Sequence, residues 1–266
     1  MSNIPDFVLP GTKPRSYFSK TSLGHLLVSP QRFLDYLHGR LDKSTSGIEF
    51  GRIHDKMCFS GMTATEAIAT MDVFDDVKVV ESIIKDNPAS KAPKATKVWK
   101  EALAEFNAGL LPSSHVVMRS DLDKAIAMHS VYTNHPLHAF HVEGSKYQVD
   151  RTGLIGGYPV RAICDVETPN YVIEGKSTTN LDSFYWDAKK FNYDLQAYIL
   201  RALFGKDVVF HVQSTEDPYE VQERTCSEAW YEAGEKKYLR ACGLYEDYIR
   251  CGDENAIRNY YVSLEL

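Results

Sequence analysis

The sequence predicts a mixed α/β (α+β) fold: a helical N-terminal region followed by a mixed central β-sheet flanked by helices. Three observations predict it. Before about residue 139 the apolar residues recur in helical stripes, and from Phe140 onward they alternate over short runs bounded by Gly, Pro and Asn. The later segments follow the order β-β-β-α-β, which suits a mixed sheet with helices packed against it. A hydrophobic share of 44% in 266 residues is enough for a core, and no apolar run approaches the ~20 residues of a membrane span.

The elements follow in chain order. Residues 1–15 read as an irregular arm. Ser29-Pro30 starts a helix, with Ser as cap, Pro in the first turn, and Phe33, Leu34 and Leu37 as its apolar stripe. Gly39 to Gly47 is a polar loop, and Ile48 to Phe59 a short helix carrying His54. Asp72 to Lys85 reads as a helix, Asn87 to Lys94 as a Pro/Lys/Ala loop, and Thr96 to Ala108 and Asp121 to Tyr132 as amphipathic helices. Phe140 to Asp150 and Tyr158 to Thr168 are strand-like, separated by a turn with Gly153, Gly156 and Gly157, and Tyr171 to Lys176 is a third strand. Asp182 to Phe204 reads as one long helix, Val208 to Gln213 as a strand, Tyr219 to Cys226 as a further strand and Ser227 to Arg250 as a last helix. No linker forces a second domain. Residues 1–266 read as a single unit: a mainly helical part over 1–139, a sheet-and-helix core over 140–215, and a C-terminal strand and helix over 216–266.

The chemistry concentrates in Cys164-Asp165-Val166-Glu167-Thr168-Pro169-Asn170-Tyr171-Val172-Ile173-Glu174-Gly175-Lys176. Alternation places Glu174 and Lys176 on one face and Ile173 and Gly175 on the other. Pro169-Asn170 suits the centre of a turn. Counting outward from a Thr168–Tyr171 pair sets Asp165 opposite Glu174, and opposed side chains approach within about 5 Å. Two carboxylates that close repel unless a cation sits between them. A one-residue bulge would bring Glu167 into competition with Asp165, and an exposed hairpin with a simple salt bridge is the plain alternative.

The formal net charge of −6 argues mildly against a nucleic-acid partner, but local charge decides such contacts. The first 60 residues are richer in base, with Arg15, Lys20, Arg32 and Arg52 among them. The five cysteines form no CxxC pair, which fits reduced thiols in a cytoplasm and argues against an iron–sulphur cluster or zinc ribbon. Met1 to Lys20 lacks the apolar stretch of a signal peptide.

Other residues suit a metal-and-phosphate site. His54 lies in Phe50-Gly51-Arg52-Ile53-His54-Asp55, where it is either a metal ligand or a surface histidine. Glu143 would support a second ion if its strand borders that of Asp165. Tyr193 and Gln196, three apart on a helix, share a face. His129, His135, His138 and His141 invite a zinc reading, but no cysteine or acid completes a tetrahedral set.

Taken together these segments resemble the PD-(D/E)xK nuclease superfamily, and within it the phage and prophage recombination exonucleases of the RecE (exonuclease VIII) group, related to lambda exonuclease and the RecB nuclease domain. The resemblance covers most of residues 22–205. Ser29-Pro30-Gln31-Arg32-Phe33 is similar to that group's opening segment, and Phe50-Gly51-Arg52-Ile53-His54 to its FGRAxH motif. His135-Pro136-Leu137 followed by Glu143 resembles its HPL…E stretch. Arg161-Ala162-Ile163-Cys164-Asp165 resembles its xRxD strand, and Glu174-Gly175-Lys176-Ser177-Thr178 its DxKTT motif, with Glu for Asp. Tyr193-Asp194-Leu195-Gln196-Ala197-Tyr198 resembles its Y..QxxxY helix, with Tyr198 two residues after Gln196 instead of about four.

The resemblance implies a restriction-endonuclease-like core and a metal-dependent exodeoxyribonuclease. Asp165, Glu174 and the Gly175 carbonyl would hold Mg²⁺ or Mn²⁺, whose preference is for hard oxygen ligands. His54 and Glu143 would serve a second ion. Lys176 would orient or deprotonate the attacking water, and Gln196 would hold the nucleophile or scissile phosphate. Arg15, Lys20, Arg32, Arg52, Tyr193 and Tyr198 are the candidate DNA contacts. The resemblance further implies 5′-to-3′ digestion of linear duplex ends leaving a 3′ single strand, a ring-shaped homo-oligomer, and a single-strand annealing protein as partner. Rival readings are an endonuclease on the same fold, a silent DNA-binding protein, and a zinc-stabilised interaction module.

Overall fold

The structure is a computed structural model that describes residues 17–41, 46–74, 115–141, 144–251 and 254–260. Four helices come first: α1 (Lys20–Val28), α2 (Pro30–Leu37), α3 (Ser46–Phe59) and α4 (Ala64–Ile68). A small parallel pair, β1 (Met71–Phe74) and β2 (His115–Met118), is followed by α5 (Arg119–Asn134) and α6 (Pro136–His141). The central sheet has five strands in chain order: β3 (Lys146–Ile155), β4 (Tyr158–Glu167), β5 (Tyr171–Thr178), β6 (Asp207–Ser214) and β7 (Val221–Thr225). Helices α7 (Phe184–Lys190) and α8 (Tyr193–Phe204) cross from β5 to β6. That pair is therefore parallel, while β3–β4, β4–β5 and β6–β7 are antiparallel, so the sheet is mixed as expected. Helix α9 (Glu228–Leu244), a π-helical turn (Tyr245–Arg250) and α10 (Glu254–Arg258) follow.

Local chemistry explains most boundaries. The Ser29 hydroxyl accepts a hydrogen bond from the Arg32 amide at 3.1 Å, with Pro30 in the first turn of α2. Helix α1, not expected from the apolar pattern, begins with a capping box: Ser19 Oγ accepts from the Ser22 amide and Ser22 Oγ from the Ser19 amide. This box places Lys20 at the helix start.

Several boundaries differ from expectation. The helix expected over Asp72–Lys85 begins instead as strand at Met71–Phe74, because His115–Met118 supplies a parallel partner; the remainder lies outside the described residues. The strand expected from Phe140 starts at Lys146, since Pro136 opens a helix that reaches His141 and Gly144 turns the chain at φ 75°. The long helix expected over Asp182–Phe204 is two helices, broken at Asn192, which adopts the left-handed conformation (φ 56°, ψ 45°) that Asn tolerates. The last strand starts at Val221, after Tyr219 at φ 60°. The arm over 1–15, the loop Asn87–Lys94 and the helix Thr96–Ala108 lie outside the described residues.

Apolar residues cover both faces of the sheet. Ile53, Met57 and Phe59 of α3 and Leu122 of α5 pack against Val166 and Ile173. On the other face Phe184 of α7 and Ala197, Leu200 and Phe204 of α8 pack against Cys164, Val172, Val208 and Phe210. A third cluster joins α1, α2, α8 and α9 through Leu23, Phe33, Leu195 and Tyr238. No described helix is long and apolar enough to cross a membrane.

Candidate active site

The hairpin register is the one counted from the sequence. Thr168 and Tyr171 close the turn, and Glu167↔Val172 and Val166↔Ile173 follow. The paired ladder ends there, one step before Asp165 would meet Glu174. The other neighbour opens at the same level: β3 pairs with β4 at Tyr147↔Val166 and Val149↔Cys164 but skips Gln148, which has φ 50°. Alternation along β4 also breaks at this point, because Cys164 and Val166 pack in cores on opposite faces of the sheet. Asp165 thus sits where the sheet opens on both sides.

Its carboxylate makes new bonds at the opening. Oδ2 accepts from the Gly175 amide at 2.9 Å and Oδ1 from Gln148 Nε2 at 3.2 Å. Glu174, 2% exposed, accepts through Oε2 from Lys176 Nζ at 3.0 Å and from Gln196 Nε2, whereas its Oε1 is buried with no hydrogen-bond partner. Lys176 Nζ also donates to the Gly175 carbonyl at 2.8 Å and stands 5.3 Å from the Tyr193 ring centre. Glu167, the competitor in a shifted register, is engaged elsewhere by Arg151 (2.7 Å) and Lys206 (2.9 Å).

Burial, then the Glu174 charge, raises the Asp165 carboxyl above its ordinary value, against the pull of Lys176. Burial likewise raises Glu174, opposed by Lys176 and assisted by Asp55. For Lys176 burial acts downward, but the Glu174 and Asp165 charges outweigh it and hold the ammonium protonated. Lys20 Nζ also lies 5.3 Å from the Tyr193 ring, so two ammonium groups face one phenol. Burial first and Lys176 second push Lys20 down to about 8.

A cavity of about 1050 Å³ is lined by Lys20 of α1, Asp55 of α3, Arg161 of β4, Gly175 and Lys176 of β5, and Tyr193 and Gln196 of α8, and Asp165 and Glu174 reach it through their bonds to Gly175, Lys176 and Gln196. Tyr193 stacks on Phe210 at 5.7 Å.

Asp165, Glu174, Gly175, Lys176, Gln196, Tyr193 and Lys20 are brought together. His54 is not: it is 1% exposed and its Nε2 lies 2.9 Å from Gln213 Oε1. Gln213 Nε2 donates to the Met128 and Tyr219 carbonyls, which fixes Oε1 as the acceptor and puts the proton on His54 Nε2. The carboxylate that α3 lends to the cavity is the next residue, Asp55, which no sequence motif marks. Tyr198 packs on Tyr238 of α9 at 5.5 Å, because two helical positions past Gln196 is a turn of about 200° to the far side. Arg32 and Arg52 are exposed and do not line the cavity. Arg15 and Glu143 lie outside the described residues.

Among the described residues no three His, Cys, Asp or Glu side chains converge as a metal cage. Two carboxylates with an adjacent backbone carbonyl form a smaller, all-oxygen set. The Glu174 Oε1 without a hydrogen-bond partner and the two carboxyls raised above their ordinary values fit a hard divalent cation.

Comparison with solved structures agrees with this fold. The chain is similar to the crystal structure of "Putative exonuclease" from Eubacterium rectale, with a TM-score of 0.52 and 10% identity over 94% of this chain and 91% of that one. That likeness is one of fold. The structure of SSO0001 matches 72% of this chain and 83% of its own at a TM-score of 0.30 and 15% identity, too low to support an argument. No protein-family model and no curated protein matches the chain.

Proposed function

We propose that this protein is a metal-dependent deoxyribonuclease, an exonuclease acting 5′ to 3′ on ends of linear double-stranded DNA. The observation that carries this reading is the opening of the sheet at Asp165, where Asp165, Glu174 and Lys176 meet beside the cavity. The fold likeness to the Eubacterium rectale structure supports it. Asp165, Glu174 and the Gly175 carbonyl would hold Mg²⁺ or Mn²⁺. A bound divalent ion supplies Lewis acidity at the scissile phosphate. Lys176, kept protonated by its two acids, offsets phosphate charge. Gln196 fixes the Glu174 carboxylate, and Lys20 and Tyr193 flank the entering strand. A second ion, a ring-shaped oligomer around the duplex and an annealing partner for the exposed 3′ strand belong to the same proposal.

The test is digestion of 5′-phosphorylated linear duplex with Mg²⁺ beside the same duplex closed into a circle, with EDTA as control. Loss of the linear form alone, stopped by EDTA, is the expected result. Cutting of the circle would move the reading to an endonuclease. Inertness toward both, from folded protein, would sink it.

Metal binding is expected to register in stability as well. A carboxyl whose folded pKa is raised binds its proton more tightly in the folded state. Metal-free stability from Asp165 and Glu174 is therefore present at acid pH and lost as pH rises above the ordinary carboxylate range. A cation reverses that loss. Mg²⁺ at tenfold its Kd adds about 1.4 kcal/mol, or roughly 3–5 °C in Tm, and the gain should be larger at pH 8 than at pH 5.5. A Mg²⁺ shift that is absent, or no larger at pH 8, contradicts the assignment.

A further inference from the structure

The broken crossover leaves α7 as a short helix anchored by Phe184 and Ala188, with its aromatic residues turned outward. Tyr185 is 50%, Trp186 68% and Phe191 50% exposed. Single exposed apolar residues are ordinary on protein surfaces, but these three large rings fall within seven residues and are interleaved with two lysines. Lys189 Nζ stands 4.6 Å from the Tyr185 ring centre and 5.7 Å from that of Trp186, and Lys190 Nζ stands 5.5 Å from that of Phe191. Phe191 also lines the cavity, 6.1 Å from Tyr193, whose ring faces Lys176. The platform is thus continuous with the proposed catalytic centre.

We propose that Tyr185, Trp186 and Phe191, with Lys189 and Lys190, form a stacking platform for unpaired DNA next to the scissile phosphate. The proposal rests on the nuclease reading for its place in the reaction, not for its binding chemistry. Every base offers a π-face, so aromatic stacking binds single strands with little sequence preference. Lysines beside the rings meet the backbone phosphates that accompany stacked bases. The acids of the segment, Asp182 and Asp187, lie toward its N-terminal end, and the lysines lie at the end that leads into Phe191 and the cavity. A protein partner would use the rings but would have no particular need of the two lysines.

The test is fluorescence anisotropy of a labelled 20-nucleotide oligothymidylate titrated with full-length protein in EDTA, so that no cleavage occurs. Trp186→Ala and Tyr185→Ala are each expected to weaken binding roughly tenfold or more, with Trp186→Phe retaining most of the affinity. Lys189→Gln with Lys190→Gln should lower the salt slope by about 1.4. Parent-like binding by Trp186→Ala, or no binding by the parent, overturns the platform. The two readings can fail separately. Loss of binding in the variants of a parent that cuts nothing with Mg²⁺ supports the platform and removes the nuclease reading. An active parent whose Trp186→Ala form binds and cuts equally well does the reverse.

Discussion

Replacing Lys176 with methionine is expected to slow hydrolysis of linear duplex DNA by about 10²- to 10³-fold, the size of effect seen when a preorganised charge or donor is removed from a reacting centre. The Lys176 ammonium lies 3.0 Å from Glu174 Oε2 and 2.8 Å from the Gly175 carbonyl. The Glu174 and Asp165 charges raise its pKa, and the substitution tests what that positive charge contributes at the phosphate. Methionine keeps the length and apolar stem and removes only that charge. Buried Glu174 and half-buried Asp165 then lose a neighbouring cation and respond by holding protons more tightly, so the variant is expected to fold. Circular dichroism checks this, and single-turnover digestion compares the rates. A folded variant within tenfold of the parent would remove Lys176 from the chemistry.

The hairpin of the candidate site was legible in the sequence because the turn that builds it is local. Pro169-Asn170 sets the register, and alternation then assigns faces to Glu174, Gly175 and Lys176 without reference to the rest of the chain. What failed depended on packing between distant segments. Whether α3 offers His54 or Asp55 to the cavity is a question of about 100° of helix rotation, and the docking of α3 against the sheet settles it. The strand at Met71–Phe74 forms because its partner arrives at His115–Met118, beyond any local window. The break at Asn192 was hidden because apolar periodicity continues on both sides of it, and Asn is a weak signal in the middle of such a pattern. Gln148, whose left-handed backbone accompanies the opening of the sheet at Asp165, has no signature in the sequence.

Two glycines of α9 carry the second large effect, with opposite signs expected from one substitution. Propensity alone favours Ala over Gly in a helix interior by about 1 kcal/mol. At Gly243 nothing lies within 4 Å of where a Cβ would stand, so propensity decides, and Gly243→Ala should raise Tm by roughly 2–4 °C. At Gly234 a Cβ would collide with the Asp194 carbonyl oxygen and would lie 2.7 Å from its carbon and 2.8 Å from Tyr198 Cβ. The first obstacle is the backbone of α8, which cannot swing aside as a side chain can. Overpacking costs about 1–3 kcal/mol, and more where backbone must move; set against the propensity gain, the net loss is about 2 kcal/mol and Tm falls by roughly 4–8 °C. Moving α8 also moves the cavity-lining Tyr193 and Gln196, one residue before and two residues after Asp194. Gly234→Ala should therefore weaken Gln196's hold on Glu174 and lower activity even at temperatures where the variant remains folded. Calorimetry on the two alanine variants separates the contributions, and a Tm for Gly234→Ala at or above that of Gly243→Ala would mean that α8 and α9 do not approach as closely as the structure has them.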